Sequence, residues 1–104
     1  KTVSVREINH IFTENKIVRL HLDDGTSESV SVSMDELERQ LDPTRFFRAN
    51  RQFIVARRAV KEIAVWFGSR LTLHLTVETP ERIVISKARV PEFKAWLRSL
   101  HPVE

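Results

Sequence analysis

From Arg70 to Val77 the chain alternates: Leu71, Leu73, Leu75 and Val77 are apolar, and Thr72, His74 and Thr76 between them are polar. A period of two sends successive side chains to opposite faces of a sheet, whereas a helix would scatter these leucines around its circumference. The segment is predicted to be a half-buried strand, and the same pattern recurs along most of the chain. Val5 to Phe12 carries Ile8, His10 and Phe12 on one face. Ile17 to Leu22 sets Val18, Leu20 and Leu22 against Arg19 and His21, then stops at the turn signal Asp23-Asp24-Gly25. Ser29 to Ser33 brings Val30 and Val32 inward, and Gln52 to Ala56 forms another short strand. Val60 to Phe67 alternates Ile63, Val65 and Phe67 with Glu62, Ala64 and Trp66, and Gly68-Ser69 turns it into the leucine strand. Arg82 to Ser86 is the last strand.

Two segments break this period. Ser33 followed by Glu36 is a capping-box pattern, and Met34, Leu37 and Leu41 lie at helical spacing. This predicts a helix over 34–41, ended by Asp42-Pro43. Val90, Phe93, Trp96, Leu97 and Leu100 predict a second over 90–100, with Pro91 in its first turn. No long linker, low-complexity tract or internal repeat interrupts the 104 residues, so residues 1–104 form a single domain. The class is mainly β with two short helices packed on the sheets.

Apolar residues make up 41% of the chain, which argues against disorder. No window approaches the roughly 18 apolar residues of a spanning helix, and the amino terminus lacks a signal-peptide core. With no cysteine, disulfides and thiolate zinc sites are excluded. These features lead us to expect a cytoplasmic domain without membrane contact. A first residue of Lys1 suggests a fragment of a longer chain.

Net charge is +3, but it is polarised: residues 1–42 hold five Lys/Arg against nine Asp/Glu, and residues 43–104 hold twelve against five. From Arg45 to Lys61 there are six basic residues and no acid. Such a run points to an anionic partner, of which nucleic acid is the common one, or to a solvated basic face.

Catalysis finds little support. His10, His21, His74 and His101 have no metal-ligand spacing and read as surface or edge residues. Gly25 and Gly68 are the only glycines, too few for a phosphate loop, and Asp23-Asp24 sits in a turn where solvation explains it. We expect no enzyme, no metal and no cofactor.

The stretch Phe46 to Val55, FFRANRQFIV, places Arg48, Asn50 and Arg51 between apolar anchors. Each anchor contributes about 1.5 to 3 kcal/mol when buried. A loop so held loses less entropy on binding. Arg and Asn are also the side chains that pair bidentately with phosphate or with guanine and adenine edges. Against this, strand alternation favours Arg48 as an ion-pair partner of an acid from the first half, and Asn50 has the alternative of capping the turn. A second class of function is a protein-interaction module whose basic loops dock an acidic partner. Trp66 and Trp96 would be its anchors, unless they complete the core.

The ordered motifs Phe46-Phe47-Arg48-Ala49-Asn50-Arg51-Gln52-Phe53-Ile54-Val55, Ala59-Val60-Lys61-Glu62-Ile63, Phe67-Gly68-Ser69-Arg70-Leu71, Ile83-Val84-Ile85-Ser86-Lys87 and Phe93-Lys94-Ala95-Trp96-Leu97 resemble the LytTR family. These are DNA-binding output domains of bacterial response regulators. The similarity runs from about Ile8 to Leu100. It implies an elongated fold of about ten strands in three small antiparallel sheets. It also implies sequence-specific binding of double-stranded DNA by loops that enter successive major grooves and touch the minor groove between them.

Carried onto this chain, the resemblance puts Glu14, Asn15 and Lys16 in the first contact turn and Asn50, Arg51 and Gln52 in the second. Ser86, Lys87, Ala88 and Arg89 form the third. Asn50 stands where many members carry His, and Lys87 where many carry Arg; Arg89 is then expected to take over base reading from Lys87. Arg57, Arg58 and Lys61 are candidate phosphate contacts. The resemblance further implies an N-terminal receiver or sensor region and a homodimer on a repeated site.

Overall fold

The computed structural model describes residues 2–99. Strands β1 (Ile8–Glu14), β2 (Ile17–Leu22) and β3 (Ser27–Val30) form a meander, followed by helix α1 (Met34–Gln40). Strands β4 (Phe46–Arg48) and β5 (Phe53–Ala56) come next, then β6 (Val60–Trp66), β7 (Arg70–Leu75), β8 (Ile83–Ile85) and helix α2 (Val90–Arg98). The strands form two antiparallel sheets, one ordered β3-β2-β1-β5-β4 and one ordered β6-β7-β8.

The mainly β class and both helices are as the sequence implies. Among the described residues there are eight strands in two sheets, rather than about ten in three. Single 3-10 turns lie before β1 at Val5–Glu7, between strands at Arg57–Ala59 and Phe67–Ser69, and between β8 and α2 at Lys87–Arg89. The first of these delays β1 to Ile8, and the third ends β6 at Trp66. β3 runs Ser27–Val30 rather than 29–33, because its register is fixed by Val18 opposite Val30 and His21 opposite Ser27. The body measures 38 × 37 × 24 Å, flattened rather than elongated. Leu100 and His101 lie outside the described residues.

Ser33 caps α1 as the sequence predicts, its Oγ accepting from the Glu36 N–H at 3.1 Å. Helix α2 presses Phe93 and Trp96 onto Phe47, with ring centroids 5.4 and 5.1 Å from it. Trp96 thus completes the core, and its indole donates to the Pro43 carbonyl at 2.9 Å. Arg57 secures the other end of this helix. Its guanidinium stacks 4.5 Å over Trp96 and donates to the carbonyls of Leu97, at 2.7 Å, and Trp96. A cation there satisfies orphan carbonyls and complements the helix dipole.

In the middle of the five-stranded sheet the alternation fails for a physical reason. β1 is buried on both faces from Ile8 to Phe12, and β5 along its whole length. His10 is therefore not the surface or edge residue its sequence context suggests. It is fully buried and stacks on half-buried His21, centroids 4.5 Å apart, from the opposing position of β2. His10 Nδ1 bonds Asn9 Oδ1 at 2.9 Å. Asn9 in turn donates to Asp23 at 3.0 Å and to Thr76, just past β7, at 2.8 Å, which joins the two sheets. Burial, with a smaller push from His21, lowers the His10 imidazole to about 4; burial first and then Arg19 also lower His21. His74 is exposed, as expected.

Candidate nucleic-acid interface

The β1–β2 turn is two residues long, Asn15 and Lys16, closed by the pair Glu14 and Ile17. Both turn residues have left-handed backbones, φ 54° and 66°. This is the twist a two-residue hairpin needs. Asn tolerates it; Lys does so at a cost. Both side chains are exposed and bond no described residue.

The second turn, between β4 and β5, is shaped from inside. Asn50 Oδ1 accepts from the N–H groups of Gln52 and Phe53 at 2.9 and 3.1 Å, while its Nδ2 donates to the Val84 carbonyl at 3.0 Å. Arg48 lies beneath, donating to the carbonyls of Asn50 and Arg51 at 2.8 and 2.9 Å. Its guanidinium also meets Asp35 and Glu38 of α1 at 3.1 and 2.9 Å, the acids of the first half that strand alternation called for. Arg48 is thereby consumed, and Arg51 is left exposed at the apex with no side-chain partner among the described residues.

The third segment follows β8. Ser86, Lys87 and Ala88 are exposed. Arg89 turns inward, donating to the carbonyls of Arg48 and Ala49 at 2.6 and 3.3 Å, meeting Glu92 at 3.2 Å and lying 4.9 Å over Phe47.

Sheet pairing brings the three turns together. β1 pairs with β5, with Phe12 opposite Phe53, so Thr13 N–H reaches the Gln52 carbonyl at 3.0 Å and Gln52 Nε2 reaches the Thr13 carbonyl at 3.4 Å. The first and second turns are thus neighbours. The bonds from Asn50 to Val84 and from Arg89 to Arg48 join the second to the third. The segments that carry Lys16, Arg51 and Lys87 therefore adjoin one another, with the second turn in the middle.

A shallow concavity of about 460 Å³ between the second and third turns is lined by Asn50, Arg51, Ser86 and Arg89, and also by Arg70. Sequence reasoning missed Arg70 as a site residue. The signal was available in the hairpin register: Leu71 faces Ile85, so the first residue of β7 stands beside Ser86.

Arg57, Arg58 and Lys61 are not brought to this edge. They follow β5, at the end where β1 begins and β2 ends. Arg58 pairs with Asp23 at 3.0 Å and donates to the carbonyls of Arg6 and of Ile8, the latter at 3.2 Å. Two of the three cations expected to meet phosphate thus hold the fold together. Among the described residues no helix is long and apolar enough to cross a membrane, and no group of three His, Cys, Asp or Glu side chains is placed to hold a metal.

The structure is a small, mainly β scaffold that carries exposed cations on adjoining turns. Residues 1–98 match the LytTr DNA-binding domain, and the chain belongs to that family. It is 30% identical over 95 residues to the sensory transduction protein LytT of Bacillus subtilis, covering 91% of this chain and 38% of that protein. It is 32% identical over 65 residues to LytT of Enterococcus faecalis, covering 62% of this chain and 26% of that one. The chain therefore spans well under half the length of these curated relatives. A solved LytTr DNA-binding domain from Bacillus cereus shares the fold, with a TM-score of 0.77 over 92% of this chain and 85% of its own at 22% identity.

Proposed function

We propose that this domain binds double-stranded DNA sequence-specifically by inserting its turns into successive major grooves, as the output domain of a bacterial transcriptional response regulator. The observation that carries this reading is the convergence of three turns on one edge, with Lys16, Arg51 and Lys87 uncommitted there. Arg51 is the principal base reader, since a guanidinium forks onto the O6 and N7 of guanine. Lys16 and Lys87 flank it as major-groove or phosphate contacts, with Asn15 and Ser86 beside them. Asn50, Gln52 and Arg89 act chiefly by fixing the shape of the edge, because Asn50 Oδ1 and Nδ2, Gln52 Nε2 and Arg89 Nη1 are already bonded to backbone. Arg57, Arg58 and Lys61 stand outside this interface.

One such edge covers limited sequence, so tight binding takes two copies on a repeated site. In a longer cytoplasmic chain, a receiver or sensor region would control that pairing. Selection of bound duplexes from a random pool, followed by mobility shifts on selected and unselected duplexes, tests the reading. Arg51→Ala is expected to relax base preference and weaken selected sites by about 1 to 3 kcal/mol. Equal weakening on every duplex would overturn the base-reading role.

A further inference from the structure

Strand β6 is the outer strand of its sheet, paired with β7 on one side and with no described strand on the other. An outer strand shows a row of unpaired N–H and C=O groups, which proteins usually blunt with charge, proline, a bulge or a cover. Here the ladder's irregularity falls between Val60 and Glu62, and the strand's only charges, Lys61 and Glu62, lie in the same place. From Ile63 to Val65 no charge, proline or bulge among the described residues of the strand blunts the edge. Ile63, Val65 and Phe67 are 41%, 79% and 73% exposed. Ile63 and Val65 stand opposite buried Leu73 and Leu71, so the apolar face of this sheet runs on past the core into solvent.

We infer that β6 is an association edge whose partner is β6 of a second copy of this chain, paired antiparallel to merge two three-stranded sheets. Charge selects both the occupant and the direction. Parallel pairing would set Lys61 on Lys61 and Glu62 on Glu62; antiparallel pairing sets the charged end of each strand against the uncharged end of the other. With the two-fold axis at Ala64, Ile63 of each copy faces Val65 of the other, closing one aliphatic patch. On the opposite face, Glu62 comes to Trp66 of the second copy. The Arg82 guanidinium lies 4.0 Å over that ring and pairs with no described acid, so each Glu62 finds a cation waiting.

Antiparallel pairing also sends the two turn edges to opposite ends of the merged sheet, because Trp66 and Ser86 lie at the same end of each copy. This association is therefore distinct from pairing on one repeated site, and it stands whether or not the turns bind DNA.

The chain has no cysteine, so a single one can be placed at the axis. Sedimentation velocity of the 104-residue chain from micromolar to millimolar concentration is expected to show a reversible dimer. Val65→Lys should abolish it without lowering the thermal midpoint. Ala64→Cys should form a disulfide-linked dimer under mild oxidant, since opposed residues across a two-fold antiparallel pair lie within disulfide reach. Ser29→Cys, on the outer strand of the other sheet, should not. A chain that stays monomeric throughout, a dimer that survives Val65→Lys, or Ala64→Cys linking no faster than Ser29→Cys would each overturn the inference.

Discussion

Asn50 donates from Nδ2 to the carbonyl of Val84 at 3.0 Å, a bond that spans the two sheets and joins the central turn to the last strand. Its Oδ1 holds two N–H groups of its own turn. Truncation would strand three backbone groups in a half-buried site. Asn50→Ala is expected to cost about 1 to 3 kcal/mol in urea denaturation. A loss below a few tenths would show that water replaces the amide freely.

Arg51 and Lys87 present the opposite case. Both are exposed and neither side chain bonds a described residue, so replacing either by alanine should leave stability within about 0.5 kcal/mol of wild type. The same variants are expected to lose affinity for selected duplexes. Melting curves and mobility shifts on one preparation separate the two effects.

Arg57 separates folding from binding in the reverse sense. Arg57→Ala removes a stacked guanidinium and the donors at the end of α2, and should lower stability by about 1 to 3 kcal/mol. At temperatures where the variant stays folded, its salt dependence of DNA binding should match wild type. Lys16→Ala should instead reduce the slope of log K against log salt by about 1. A reduced slope in Arg57→Ala would bring that residue back to the phosphate.

The stacked histidines predict acid sensitivity. His10 falls to about 4 in the fold, against an ordinary value of 6.5, so between these pH values the unfolded chain binds the extra proton. Stability should rise with pH through this window. It is fully present above 6.5, is lost as pH falls, and levels out below 4. The shift corresponds to a loss of about 3 kcal/mol. Urea denaturation from neutral pH down to 4 measures it, and His10→Gln should flatten the slope.

Local signals reached a long way into this fold. β2 and α1 follow from alternation and from a serine cap, and Arg48 was legible as an ion pair because it stands between Phe47 and a small residue in strand alternation. What escaped has a common cause: the deciding partner is distant in sequence. Arg57 takes its carbonyls from residues 96 and 97, and Arg58 from residues 6 and 8, so no local pattern marks them as structural. His10 looked like half of an alternating strand because the elements that bury its face are contributed by later segments. The three turns were identifiable singly through the resemblance. Their convergence depends on β1 pairing with β5 and on one amide reaching Val84.

The left-handed backbone at Lys16 has a further consequence. A glycine there would ease the dihedral and remove the ammonium at a stroke. On the proposed reading, firmness of the hairpin and grip on a polyanion are set against each other at one position, and selection for heat resistance alone would favour a variant with a weaker hold on DNA.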